Sequence, residues 1–169
     1  NRLLTAWPFG RTNLEFDVLG MSMISSMCSY LTLDYVAGKA TFGFKGSYTA
    51  KAGNRSWHCP LSFTKRLPHV DVRSNGRDWH ALIDTGATSV AEMNQGTAKG
   101  LGLLQSARQI SGSRLGVGTS TAKPSTIHKV VTIPAIEKLG PKILNVPALV
   151  VGDFNKIGTG MLRPFRVTL

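Results

Sequence analysis

Apolar positions along this chain come in short runs broken by Gly, Pro, Asn and Ser, not in a helical stripe of 3.6-residue period, and that pattern predicts many short strands. The clearest case lies at 69–84, where "HVDVRS" and "RDWHALID" flank Asn75-Gly76. Asn-Gly suits a type I′ turn, whose two central residues need positive φ, so a β-hairpin is predicted whose second arm ends on Asp84. Downstream, "SVAEMNQGTAKGLGL" predicts a short helix ending at Gly100 or Gly102. The stretch "QISGSRLGVGTSTAKPSTIHKVVTI" is rich in Gly and Ser, then β-branched, the make-up of a mobile hairpin returning into a strand. "ILNVPALVV" at 143–151 reads as another strand, with Pro147 pointing to an edge or a bulge. "NKIGTGMLRPFRVTL" closes with an apolar-Gly turn, a short segment and a final strand. The expected fold class is mostly β, with one or two short helices.

The N-terminal third echoes the C-terminus. "FDVLGMSMISSMCSYLTLDY" has an apolar-Leu-Gly at 18–20 and Leu-Thr-Leu at 31–33, while the end of the chain has Ile157-Gly158 and then Val167-Thr168-Leu169. The spacings differ slightly, yet the order of features matches, which suggests an internal repeat. The organisation expected is residues 1–46 as the tail of a preceding unit, 47–66 as a linker, and 67–169 as a complete second unit. Opening on Asn1 without a signal-peptide pattern, the chain reads as a fragment or a processed product.

Composition narrows the function classes. At 169 residues and 42% hydrophobic, the chain has apolar material for one domain and part of another. Twenty Lys and Arg against nine acids give +11, a balance that favours acidic partners. The basic residues are spread from Arg2 to Arg166 without a run, so nucleic-acid binding is not indicated. No apolar stretch is long enough for a membrane helix. Cys28 and Cys59 lack metal-ligand spacing; a disulfide in an exported protein and two separate thiols both remain open. His58, His69, His80 and His128 also lack ligand spacing, and no metal or cofactor is expected. The compartment stays unassigned, with a slight lean toward export.

The chemistry concentrates at "LIDTGAT", residues 82–88. An acid at the end of a buried strand is costly to hold charged unless it is paired, hydrogen-bonded or kept for a reaction. This stretch resembles the active-site signature of aspartic proteases in their retropepsin-like branch. The resemblance continues in order through the short helix, a Gly-rich stretch, "LNVPALVVGDF" and the late Ile157-Gly158 turn, covering about residues 67–169. It implies a retropepsin-like β-barrel lobe and an endopeptidase that uses a water activated by an aspartate dyad. Two carboxyls about 3 Å apart cannot both ionise, so they share a proton and act together as base and acid.

On that resemblance Asp84 is one catalytic member, supported by Thr85, Gly86, Ala87 and Thr88. Gly86 lets the backbone approach the carboxylate, Ala87 leaves the cleft floor open, and the Thr85 hydroxyl would brace the partner loop. Ile157 and Gly158 form the apolar-Gly turn near the site, and Gly112, Leu115, Gly116, Val117 and Gly118 are flap candidates over an extended peptide or protein substrate. The second aspartate must come from an upstream lobe or from a homodimer partner. The alternative is a catalytically inactive lobe serving as a binding or dimerisation module. One departure stands out: Lys156 precedes Ile157-Gly158 where the family prefers an apolar or small residue. A cation there would oppose proton sharing by the dyad. Asp71 and Asp78, beside the hairpin turn, are expected to be solvated.

Overall fold

The computed structural model describes residues 20–53, 55–112 and 126–169. Among them the chain is mostly β, in two sheets. The larger is built on the predicted hairpin, β4 (Leu67–Ser74) and β5 (Arg77–Asp84), joined by Asn75 at φ 49° and Gly76 at φ 72°. Both positive values are what the type I′ turn requires. Alternation is strict: Val70 and Val72 of β4 and Trp79, Ala81 and Ile83 of β5 are buried, while Arg73, Asp78 and His80 face outward.

Other elements extend this ribbon. With β3 (Leu61–Thr64), β6 (Ala91–Met93), β7 (Arg108–Gly112), β8 (Thr126–Ile136), β9 (Ile143–Val150) and β10 (Lys156–Gly158), the strand order is β3-β4-β5-β10-β6-β9-β8-β7. Residues 61–64, which the sequence reading placed in the linker, are therefore a strand hydrogen-bonded to β4. Helix α2 (Gln95–Gly100) ends where expected and is capped by Asn94, whose side chain accepts the Thr97 N–H at 2.8 Å. The residues just before it differ from expectation: Ala91–Met93 form a strand wedged between β9 and β10, all three buried. Pro147 lies where β9 has only β8 beside it, since pairing with β6 begins at Ala148.

The second sheet has the order β11-β1-β2, from β1 (Tyr30–Asp34), β2 (Lys39–Gly43) and β11 (Arg166–Thr168). Strands β1 and β11 each follow a short helix capped by glycine: Gly20 before α1 (Met21–Met27), Gly158 before α3 (Thr159–Leu162). Strand β1 runs antiparallel to β11 with Thr32 opposite Thr168 and Leu33 opposite Val167. Leu31 and Leu169 exchange both backbone hydrogen bonds at 2.9 Å. Equivalent positions of the two echoing segments thus meet about a local two-fold, marked by a Thr32–Thr168 hydroxyl contact of 2.9 Å.

Val72, Met93, Val131, Ile133, Ile136 and Ile157 form the fully buried centre, to which Val167 of β11, and Tyr35 and Leu169 just after β1 and β11, add partly buried contacts. Cys28 and Cys59 are free thiols; the Cys59 Sγ–H donates to the Lys138 carbonyl at 3.1 Å, and burial pushes that thiol up.

Candidate functional site

Asp84 is the last residue of β5, and its neighbour across the sheet is not the hairpin partner but β10, which runs parallel. In that register Gly158 stands beside Asp84, Ile157 beside Ile83 and Lys156 beside Leu82. The loop after Asp84 folds over the far end of β10. Gly158 N–H donates to Val90 O at 3.1 Å, Gly160 N–H to Ser89 O at 3.1 Å, and Thr159 delivers both its N–H (2.8 Å) and its hydroxyl (2.9 Å) to Ala87 O. Four hydrogen bonds thereby fix residues 87–90 against the β10–α3 junction.

Gly158 makes this approach possible through space and not through its torsions, because its φ of −97° suits any residue. A β-carbon there would lie 2.1 Å from Ser89 O and 2.9 Å from Ala87 O, both backbone atoms. Gly86 lies outside the left-handed region as well; an added β-carbon would sit 3.3 Å from Asp84 Oδ1, so its bareness leaves room beside the carboxylate.

The Asp84 carboxylate is held on both oxygens. Oδ1 accepts the Gly86 N–H at 3.0 Å, and Oδ2 is 2.8 Å from Lys156 Nζ. Both side chains are about a quarter exposed, 25% for Asp84 and 27% for Lys156. The lysine noticed in the sequence as a departure is therefore in direct contact with the acid. Alternation along β10 accounts for this: Ile157 points into the core at 0% exposure, so Lys156 projects to the opposite face, where Leu82 and Asp84 stand.

Sequence reasoning missed several supports. Thr159, Ser89 and Val90 clamp the loop through backbone groups that side-chain types do not reveal. Asn155 ties three segments together: its Nδ2 donates to His80 O at 2.9 Å, its Oδ1 accepts the Asn94 N–H at 3.0 Å, and its carbonyl accepts the Leu82 N–H at 3.0 Å. Glu92, register-paired with Lys156 and 5% exposed, accepts the Ser89 hydroxyl at 3.1 Å.

Thr85 and Thr88 sit on the same loop as Gly86 and Ala87, between β5 and β6. Gly112 ends β7, whereas Leu115, Gly116, Val117 and Gly118 lie outside the described residues. A pocket of about 600 Å³, bordered by Ile24, Cys28, Tyr30, Leu31, Phe63 and Leu169, is not lined by Asp84. On the outer face of the hairpin, Asp71 and Asp78 are exposed, as expected, and each also has a charged or polar partner. Asp78 is bridged by Arg73 (2.7 Å) and Lys138 (2.8 Å), and Asp71 accepts from His80 at 2.9 Å, with His80 stacked on His69. Among the described residues no cluster of His, Cys, Asp and Glu is arranged to hold a metal, and no helix is long and apolar enough to cross a membrane.

Comparison with known proteins places this site in context. The family model described as gag-polyprotein putative aspartyl protease matches residues 70–162, a span that contains Asp84, Lys156 and Gly158. Among solved structures, the chain is similar to a retropepsin-like aspartic protease from Rickettsia conorii, at 16% identity and a TM-score of 0.47, covering 66% of this chain and 87% of that one. No curated protein sequence matched the chain.

Proposed function

The chain belongs to the gag-polyprotein putative aspartyl protease family, whose fold is the β-rich retropepsin-like lobe, and on that premise we propose that it is an aspartic endopeptidase with Asp84 as its catalytic acid. The observation that carries this reading is the position of Asp84. It ends a central strand on the open face of the sheet, beside a glycine-floored loop that hydrogen bonds fix in place. In the proposed reaction the dyad holds one proton. The ionised carboxyl takes a proton from water as the oxygen attacks the peptide carbon, and the protonated one donates to the carbonyl oxygen. The gem-diol then collapses, one carboxyl taking a hydroxyl proton while the other protonates the nitrogen as the C–N bond breaks, which leaves the dyad with one proton again. Thr85, Gly86, Ala87 and Thr88 would shape the cleft floor, the Ile157-Gly158 turn would support it, and Gly112, Leu115, Gly116, Val117 and Gly118 are the flap candidates.

Asp84 alone is half of such a site. The second aspartate would come from another lobe or another copy of the chain, and the smaller sheet favours a lobe. Its β1 already covers β11 with self-complementary pairing about Thr32 and Thr168. In this reading residues 1–46 are the tail of a preceding lobe, and the lobe that carries Asp84 takes in β3 as well as residues 67–169, which shortens the connection to the residues between 46 and 61.

A second reading, a lobe that keeps the architecture for binding or dimerisation without catalysis, has one observation in its favour. Lys156 occupies the carboxylate oxygen that proton sharing would use. Asp84→Asn separates the two readings. Peptide-library cleavage by the assembled protein should fall at least about a thousand-fold while circular dichroism and thermal midpoint stay close to the parent. Cleavage that survives the substitution would remove Asp84 from the mechanism.

A further inference from the structure

We propose that Lys156 is a specificity-determining residue that selects peptides carrying a carboxylate side chain next to the scissile bond. This rests on the protease reading above and deepens it by naming a substrate class. The side chain's direction is fixed by the fold. With Ile157 anchored in the core and Gly158 locked beneath Ser89 O, Lys156 has to stand on the face of Asp84, and its Nζ lies 2.8 Å from Oδ2. Any substrate group that reaches the Asp84 carboxyl passes within a few ångströms of this ammonium. An ammonium carries three donors, so it can engage a second carboxylate that arrives beside Asp84. At about one quarter exposure it is screened less than a surface lysine.

The contact also links selection to chemistry. With Gly86 N–H on Oδ1 and Lys156 on Oδ2, both oxygens of Asp84 are engaged. A substrate carboxylate that draws Nζ toward itself frees Oδ2 for the shared proton. A neutral or basic neighbour leaves the lysine where it is. The surrounding charges do not supply this selection. Glu92 on β6 is buried and accepts the Ser89 hydroxyl, and His69 on β4, opposite Leu82, stacks on His80. The net +11 of the chain attracts acidic peptides in general, but it is spread over the sequence and does not depend on residue 156.

The test is binding of paired extended peptide libraries with a hydroxyethylene isostere in place of the scissile amide, Glu or Gln fixed on either side of it, to the full assembled chain at low salt. The Glu set should bind about five-fold tighter, the scale of a partly screened ion pair. Lys156→Met should abolish that preference and Lys156→Arg should keep it, with circular dichroism showing each variant folded. Equal binding of both sets by the parent, or a Glu preference that persists in folded Lys156→Met, overturns the proposal. The two readings fail separately. A Lys156-dependent preference without cleavage of the matching amide peptides counts against the protease alone, whereas Asp84-dependent cleavage indifferent to Glu or Gln counts against the selectivity alone.

Discussion

Gly158 shows why a residue can be legible in a sequence while its reason is not. The Ile-Gly pair is visible as a motif, but the atom that forbids any side chain is Ser89 O, delivered by a loop some seventy residues earlier. Nothing in the spacing reveals that approach. The obstacle is backbone and is itself hydrogen-bonded to Gly160, so it cannot move without undoing the clamp on residues 87–90. Gly158→Ala should therefore cost about 3 kcal/mol or more, far above the usual glycine-to-alanine change at a negative φ. Gly86→Ala serves as a comparison, since its new carbon would meet Asp84 Oδ1 at 3.3 Å and leave the clamp intact. Urea unfolding of both variants distinguishes steric exclusion at 158 from a general intolerance of the loop, and near-equal losses would refute the argument.

At the scale of elements, the hairpin was readable because its information is local: alternation over eight residues per arm and an Asn-Gly turn between them. Helix α2 was readable for the same reason, with Asn94 as its cap. Strands β6 and β3 were not, because three- and four-residue strands carry too little period; their pairing depends on β9, β10 and β4, which the chain supplies elsewhere. The ion pairs of the hairpin's outer face were likewise invisible. Lys138 reaches Asp78 from sixty residues away, and with Arg73 it holds that carboxyl down to about 2. The sign follows from linkage: a carboxyl whose value is depressed on folding contributes stability above its unfolded value, near 4, and loses it as pH falls through about 2. Asp78→Asn should lower the thermal midpoint at neutral pH and flatten its decline between pH 4 and 2. Parallel curves for parent and variant across that window would show that the pair contributes nothing to acid sensitivity.

At the scale of the whole molecule, the question is whether the N-terminal segment is an appendage or part of one folding unit. The sequence suggested a repeat but could not show that its two copies pair with each other, since pairing about a local two-fold is a property of both strands at once. In the structure Leu31 is 4% exposed and Ile24 8%; both are buried outside the main core and border the same pocket. Tyr35, Val167 and Leu169 pack against the main core, and Arg166 bridges β11 to Asp34 at 2.6 Å. These connections are few, yet they include two reciprocal backbone hydrogen bonds and a hydroxyl pair, none of which survives if β1 leaves β11. Leu31→Ala removes most of a buried side chain and should destabilise the sheet by about 2–3 kcal/mol. If the two sheets unfold together, that loss lowers the midpoint of a single urea transition without changing its slope, because the same surface is exposed in one step. A separate early transition appearing in Leu31→Ala, with the later one unmoved, would instead make residues 20–43 an independent unit resting on the lobe.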